Sequence, residues 1–523
     1  MDIFQTTIKK HFYIAMVFLI VGLGFGFIYS LNLLGYTINA PMLNPASVRS
    51  VHITLMLYGF IPFMLSLLPF LLLHKDLGVN LKALRYIEIY AIFWYTTLLD
   101  MILSLSMGVL RGLAFYDFHY SLNFFLALSG VFYILALYEY IKMYKVKPLW
   151  VKISIFVVVL SPFSLLFLMN PVVGQVEATI SGPHGDNTLG MSLALIPIYY
   201  LIFKLLSKDK FVPRWHILWI IPAIFYALSV LHRLFIGTLT YEQEWFFQWL
   251  SLLYIPLLIR WYKDANISSG AKKLLFISLF GFLFVDVEGN ILFIESIRWI
   301  FHRNDLVVAH AHIAMGVGVL FMTLSMYTDI IKKLTSSFFT KQYIFGMLGI
   351  FISLSLNGFV EAGYLHFNTI TLWSIRSLSG LFIISSFFYL TILPTKLSKV
   401  QIYNLLGFLS DGFGGFFLIF VAGYLYPLLG FAFSGAYIYV VFIFMMTTGF
   451  IHFLALKNSN AQAILSFVTA IIRLCVSSMF LSLFLANKLG IESLFIASYD
   501  FIYATIFMIW FYKPKYILEK KNV

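Results

Sequence analysis

Long apolar runs dominate this sequence and decide the class of protein. Of the 523 residues, 61% are hydrophobic and only 11% are charged. We count sixteen apolar runs of roughly 20 residues, and each is long enough to cross the hydrocarbon core of a bilayer. Backbone polar groups in lipid must be satisfied within the segment, so these runs are expected to be helical. The predicted fold class is therefore all-α, a polytopic membrane protein.

The predicted spans follow one another along the whole chain, with no linker long enough for a soluble domain. They cover residues 11–34, 50–73, 84–108, 118–142, 150–170, 187–206, 215–237, 243–262, 272–294, 306–331, 342–366, 372–394, 405–429, 433–456, 462–487 and 493–512. The single cysteine, Cys475, excludes internal disulfides, an all-cysteine metal site and a C-x-x-C-H haem attachment.

The basic residues indicate a topology and no nucleic-acid partner, although the net charge is +13. With the N-terminus placed inside, 27 of the 35 lysines and arginines lie in the cytoplasmic tails and loops. Seven lie outside, and Arg473 lies within a span. Positive residues favour the cytoplasmic side of short loops. The sequence thus predicts an integral protein of the cell (inner) membrane with both termini in the cytoplasm and the lipid bilayer as its surroundings.

Two histidines lie near the start of the tenth run, in the stretch HRNDLVVAHAHIAMGVG at 302–318. Residues two apart on a helix point about 200° away from each other. His310 and His312 therefore cannot share one metal, but they can serve two cofactors. Ionisable side chains at membrane depth are costly, which favours a functional role. The alternative is that both rings only bond to neighbouring helices.

Most of the histidines share one level of the predicted protein. Eight of the twelve fall in the outer part of the membrane or beside it: His52, His119, His184, His232, His302, His310, His312 and His366. Such a layer is typical of buried metal or haem ligands. The predicted topology places this layer toward the outer side of the membrane. Arginines flank it, namely Arg49, Arg298, Arg303 and Arg376. Arginine binds carboxylates such as haem propionates bidentately, but arginines also extend to lipid headgroups, and both interpretations stay open.

At these residues the chain resembles the catalytic subunit (subunit I) of the haem-copper oxidase superfamily. VRSVHITLMLYGF resembles the second helix of the family, and VVAHAHIAMG resembles the tenth. VEGNILFIESIRWIFHRNDLVVAHAH is similar to the C-type oxidase stretch before that helix, with an H-x-x-D at His302 and Asp305. WSIRSLSGLF is similar to the twelfth-helix region of the same branch. The resemblance covers about residues 1–395, which implies a twelve-helix core, and leaves 396–523 as an appended unit of four transmembrane helices.

The resemblance implies two haems, both of the b type. His52 and His312 would hold a low-spin haem, and His310 a high-spin haem. Arg49, Arg303 and Arg376 would bind their propionates. Two ligands on separate helices suit electron transfer, whereas one histidine with an open face suits a site for a diatomic gas.

The sequence departs from the family at the second metal. The family usually supplies one histidine from helix 6 and a histidine pair from helix 7, but here Asp186 stands in helix 6 and the pair reads Leu231-His232. His184 is a further ligand candidate, and Glu177 a weaker one. A carboxylate ligand favours non-haem iron over copper and resembles an unusual nitric oxide reductase branch. The alternative is that Asp186 only caps its helix.

The sequence therefore predicts a membrane-bound two-haem respiratory reductase that most resembles a nitric oxide reductase. The catalytic candidates are Asp186, His232, Glu177 and Glu288, and Glu242 and Glu361 are further proton carriers. The electron donor would be a quinol or a cytochrome c subunit, because the chain has no haem c motif. The rival interpretations are an oxygen reductase of the same fold, a haem-bearing subunit without the second metal, and a transporter without haem.

The topology can be tested with reporter fusions. We expect fusions in the loops after spans 1, 5 and 9 to report an outer location, and fusions at both termini to report a cytoplasmic one, because of the charge asymmetry. Alkaline phosphatase and green fluorescent protein fusions measure the two locations. A C-terminus on the outer side would contradict the even number of spans.

Overall fold

The structure, a computed structural model, describes residues 2–36, 41–112, 117–152, 154–155, 158, 185–213, 216–237, 239–301, 304–391, 398–428, 436–491 and 493–510. Within these ranges the regular elements are helices and no strand occurs. Twelve described helices are long and apolar enough to cross a membrane, and two shorter apolar helices cover Ile220–His232 and Ser493–Ile509. The protein is an integral membrane protein, and the all-α prediction is confirmed.

The helices are numbered here in chain order. They are α1 (Ile3–Leu33), α2 (Pro45–Leu77), α3 (Leu81–Ser106), α4 (Asn123–Ile141), α5 (Gly185–Leu206), α6 (Ile220–Phe235), α7 (Tyr241–Leu250), α8 (Tyr254–Asp264), α9 (Ser269–Leu292), α10 (Glu295–Phe301), α11 (Asp305–Ser325), α12 (Ser337–Glu361), α13 (Thr369–Thr391), α14 (399–428), α15 (Ala436–Lys457), α16 (Gln462–Leu485) and α17 (Ser493–Trp510).

Fifteen of the sixteen predicted spans have a helical counterpart, and the fifth span, 150–170, lies mostly outside the described residues. The eighth span differs from the prediction. It is divided into α7 and α8 by a 3₁₀ turn at Ser251–Leu253. Pro256 lies in the first turn of α8. Proline has no N–H to bond to the preceding turn, so a continuous α-helix through this position is disfavoured.

Helix α11 carries His310 and His312 and changes its winding directly after them. Ala314–Val319 forms a π-helical turn. Wider turns of this kind leave backbone carbonyls available to side chains. The Tyr343 hydroxyl donates to the carbonyl oxygen of Gly316, and the Ser278 hydroxyl donates to that of Gly318, each at 2.7 Å. Both bonds fix α11 between α12 and α9.

The chain forms two compact units. One consists of Met1–Tyr36 and Pro45–Thr391 and contains α1–α13; the other consists of Thr37–Asn44 and Ile392–Val523 and contains α14–α17. In the second unit, Tyr403, Ala470, Ala504 and Phe507 form a buried apolar cluster. The assignment of separate roles to 1–395 and 396–523 stays a prediction.

Within the first unit, α12 and α13 approach closely at glycine. A Cβ added to Gly346 would lie 2.7 Å from Cγ1 of Ile383 and 2.8 Å from the carbonyl oxygen of Ser379. The latter is a backbone atom, which cannot move without shifting α13. Small residues permit this contact between membrane helices.

We expect Gly346→Ala to destabilise the protein by about 1–3 kcal/mol, because it overpacks this helix contact. Gly380→Ala on α13 is the matched control, since a Cβ there meets nothing within 4 Å. Alanine also forms helices better than glycine, so the control should be neutral or stabilising. Thermal unfolding of the purified protein in detergent measures both. An equal midpoint in the two variants would refute the close contact.

Candidate functional site

The predicted low-spin haem ligands face each other across two helices. His52 of α2 and His312 of α11 have ring centroids 6.4 Å apart and ring planes inclined by 23°. Nδ1 of His52 donates to the carbonyl oxygen of Gly22 at 2.8 Å, and Nδ1 of His312 donates to that of Val308 at 2.7 Å. A carbonyl only accepts, so Nδ1 carries the hydrogen in both rings. Nε2 is then the nitrogen with the free lone pair.

This pair fits a metal ion bound between the rings. A metal–nitrogen bond of about 2 Å and a ring radius of about 1 Å on each side give roughly 6 Å between ring centres. A backbone carbonyl on the second nitrogen is the usual way in which proteins orient a ligating histidine. The two rings thus have the spacing and the tautomer that a six-coordinate haem iron requires.

Helix α1 is shaped to admit the His52 ring. A Cβ added to Gly26 would lie 2.6 Å from Nδ1 and 2.7 Å from Cε1 of His52. Gly22, one turn earlier, supplies the carbonyl that holds the same ring. Two glycines four residues apart therefore set the position of His52, and the sequence interpretation missed this role.

His310 contacts a different helix from the one that His312 faces, as the H-x-H spacing predicts. Its Nδ1 donates to Oε2 of Glu288 on α9 at 3.2 Å. Gly289 borders the ring, since a Cβ there would lie 3.3 Å from Cε1 of His310. A carboxylate bonded to the second nitrogen of a ligating histidine orients the ring and makes it a stronger ligand. In this position Glu288 contacts His310 directly, and its catalytic assignment stays a prediction.

A polar cluster anchors the start of α11 to α12 and α13. Asp305 accepts from Nδ2 of Asn357 at 2.8 Å and from Nε1 of Trp373 at 3.4 Å. Glu361 accepts from the backbone N–H of Asp305 at 2.9 Å and from Nδ2 of Asn357 at 3.0 Å. These contacts give Glu361 an anchoring position next to the histidine-bearing helix.

One predicted propionate partner, Arg376, has the environment of a side chain that binds an anion. Nε and Nη2 of Arg376, on α13, are buried and have no hydrogen-bond partner among the described residues. Buried polar groups are nearly always paired, so these two nitrogen atoms fit a carboxylate of a bound group. Arg49 is exposed one helical turn before His52. Arg303, the third candidate, lies outside the described residues, as does His302.

The predicted second-metal ligands are only partly described. His232 lies on α6, where its Nδ1 is 3.3 Å from the carbonyl oxygen of Gly237, and Leu231 beside it is 49% exposed. Asp186 lies in the first turn of α5. His184 and Glu177 lie outside the described residues. The part of the chain that the structure describes contains no group of three or more His, Cys, Asp or Glu placed to hold a metal.

The structure also places two side chains whose environment the sequence left open. Asp286, on α9, is buried and accepts from the hydroxyls of Ser251 at 2.8 Å and Ser192 at 3.4 Å. An acid within the apolar run FGFLFVDVEGN was its sequence signal. Tyr226, on α6, lies against Gly190 of α5.

The fold matches that of a solved structure. A cryo-EM structure of a haem-copper terminal oxidase dimer is similar to this chain with a TM-score of 0.50 and 11% sequence identity, over 76% of this chain and 85% of that chain. The chain therefore has the haem-copper oxidase fold, as predicted. No protein-family model matches the sequence, and no curated protein matches it. The C-type oxidase and nitric oxide reductase branch stays a prediction.

The glycine cradle of His52 gives a test of the site. We expect Gly26→Ala to remove most of the six-coordinate haem signal, because the added methyl group displaces the imidazole. Gly24→Ala is the matched control, since a Cβ there meets nothing within 4 Å. Optical and electron paramagnetic resonance spectra of the purified protein measure the haem. A six-coordinate signal of equal strength in both variants would contradict the assignment of His52.

Proposed function

We propose that this chain is the catalytic subunit of a two-haem membrane reductase that converts nitric oxide to nitrous oxide. The observation that carries the proposal is the opposed pair of His52 and His312, with both Nδ1 atoms held by backbone carbonyls. Two such rings on different helices at 6.4 Å have few uses within a membrane other than binding one metal centre from both sides.

The histidines divide between two functions. A haem with two imidazole ligands supplies electron transfer, and one with a single imidazole leaves an open position for a small gas. His52 and His312 provide the first ligand set and His310 the second. Glu288 holds the His310 ring in a fixed orientation. Arg376 provides a buried positive charge for a propionate.

The residues at the second-metal positions favour nitric oxide over oxygen as the proposed substrate. Leucine at 231 cannot bind a metal, and Asp186 offers an oxygen ligand where the family has a nitrogen ligand. A set with His232, Asp186 and His184 contains harder ligands than three histidines, which favours non-haem iron over copper. The carboxylate thus indicates the nitric oxide reductase branch.

The reaction consumes two molecules of nitric oxide, two electrons and two protons, and releases nitrous oxide and water. Electrons come from a quinol or from a cytochrome c subunit, because this chain has no haem c motif. Glu177 and Glu242 remain candidate proton carriers. Glu288 and Glu361 are better assigned to positioning, because each is bonded to α11.

Oxygen reduction is the second candidate function. The solved structure that shares this fold is a terminal oxidase. Direct comparison of the two substrates therefore decides between the candidates.

The proposal is tested on the purified full-length protein with a reduced quinol analogue and with reduced cytochrome c. We expect two haems and one non-haem iron per chain, nitric oxide consumption with formation of nitrous oxide, and slower oxygen consumption. An electrode follows both gases, and gas chromatography measures nitrous oxide. Two haems without a further metal, and no turnover of either gas, would overturn the proposal. Faster oxygen turnover would favour the second candidate.

Variants separate the ligand roles. His52→Ala and His312→Ala should each lose the six-coordinate haem and keep the high-spin one. Glu288→Gln should retain both haems while lowering turnover about 10–100-fold, because partners of metal ligands typically have effects of this size. Asp186→Ala should lower the non-haem iron content alone. Unchanged iron in Asp186→Ala would identify Asp186 as a helix cap.

A further inference from the structure

The second unit buries a cluster of ionisable side chains for which the proposed reduction has no use. Arg473 of α16 is 2% exposed and forms ion pairs with Asp411 of α14 at 2.6 Å and with Asp500 of α17 at 2.5 Å. His452 of α15 is fully buried, and its Nε2 lies 3.9 Å from Oδ2 of Asp411. Ionisable groups within membrane helices are costly and mark functional sites.

Aromatic and hydroxyl groups surround these four residues. The rings of Tyr503 and Tyr499 lie 4.1 and 5.4 Å from the guanidinium carbon of Arg473, and Ser410 bonds to both Asp411 and Arg473. The titratable and charged groups that face the cluster are Tyr403 and Asp411 from α14, His452 from α15, Arg473 from α16, and Tyr499, Asp500 and Tyr503 from α17.

The tautomer of His452 follows from its neighbours. Nδ2 of Asn404 donates to the carbonyl oxygen of Val400 at 2.9 Å and to the Ser466 hydroxyl at 2.7 Å. Oδ1 of Asn404 therefore faces His452 and accepts from its Nδ1–H at 2.9 Å. In a neutral imidazole the other nitrogen is then an acceptor. Nε2 of His452 is buried and has no hydrogen-bond partner among the described residues.

Two acceptor atoms thus lie 3.9 Å apart, Nε2 of His452 and Oδ2 of Asp411. Without a hydrogen between them, the two acceptor atoms repel each other. The charge count agrees, because two carboxylates surround one guanidinium and leave one negative charge uncompensated. Two carboxylates that share a buried site do not readily ionise together. A single proton removes both the repulsion and the excess charge.

We propose that the second unit binds one proton inside the membrane, held between Asp411 and His452 and balanced by the Arg473–Asp500 ion pair. The backbone supports this role, since Asp411 lies in a π-helical turn, Phe408–Phe413, and such turns recur at functional sites. Gly407 lies against the Nε2 edge of the His452 ring, where a larger residue would not fit. Residues 396–523 are then a proton-handling unit in addition to any structural role.

A proton fits the site better than a metal cation. Arg473 donates to both carboxylates and occupies the space where a cation would bind them. Its positive charge also repels a second cation at this distance. A proton requires only the one gap between Nε2 and Oδ2.

The test is infrared difference spectroscopy of the full-length protein in nanodiscs as the pH is changed, with deuterium exchange to identify carboxylic acids. We expect one carboxylic C=O band in the wild type that is lost in Asp411→Asn. It is also lost in Asp500→Asn, because the remaining carboxylate is then balanced by Arg473. In His452→Phe the band moves, because the acid loses its hydrogen-bond acceptor. Asp329→Asn is the matched control, since Asp329 is an exposed carboxyl beside Lys332, and it should keep the band.

Haem content and thermal midpoint establish that each variant is folded. If Asp411→Asn does not fold, His452→Phe and Asp500→Asn carry the test. A band that persists unchanged in Asp411→Asn, Asp500→Asn and His452→Phe overturns the proposal. Titration that depends on sodium, with potassium as the reference ion, also overturns it in favour of a metal-cation site. Neither result involves nitric oxide turnover, so the proposed function is tested separately.

Discussion

Within a bilayer, a polar group must find its partner inside the protein, because hydrocarbon offers none. This constraint orients the functional rings of the chain. The N–H groups of His52 and His312 bond to backbone carbonyls, so each ring can turn only its lone pair toward its partner. His310 meets the same constraint with a carboxylate, and His452 meets it with an amide oxygen. The same rule thus fixes the tautomer in both units.

The helix contacts depend on small residues where the rings need space. Gly26 admits the His52 ring and Gly407 admits that of His452. Gly346 brings α12 against α13 in the same way. Since lipid chains are as apolar as leucine, close packing of this kind is what holds membrane helices together. The positions of the histidines are therefore set as much by glycine as by the bonds of the rings themselves.

Most of the fold could be predicted from the sequence, because the length of each apolar span is a local property. The interpretation of the H-x-H pair also relied on a local property, the angle between residues two apart on a helix. Pro256 was a signal for the division between α7 and α8, but apolar composition alone predicts one continuous span over 243–262. The role of Glu288 was not predictable, since it depends on the packing of α9 beside α11. The partners of Arg473 lie 62 and 27 residues away in the chain, and no periodicity in the sequence joins them.

The π-helical turn at Ala314–Val319 has an evolutionary consequence. Such a turn holds one residue more than the α-helical turn it replaces. Deleting that residue would leave His310 and His312 in place but rotate the rest of α11 by about 100°. Relatives with a regular helix at this point can align with both halves of α11 only through a gap of one residue. Codon insertions and deletions here change which side chains the part of α11 after Val319 presents to its neighbours, and they leave the histidine pair in place.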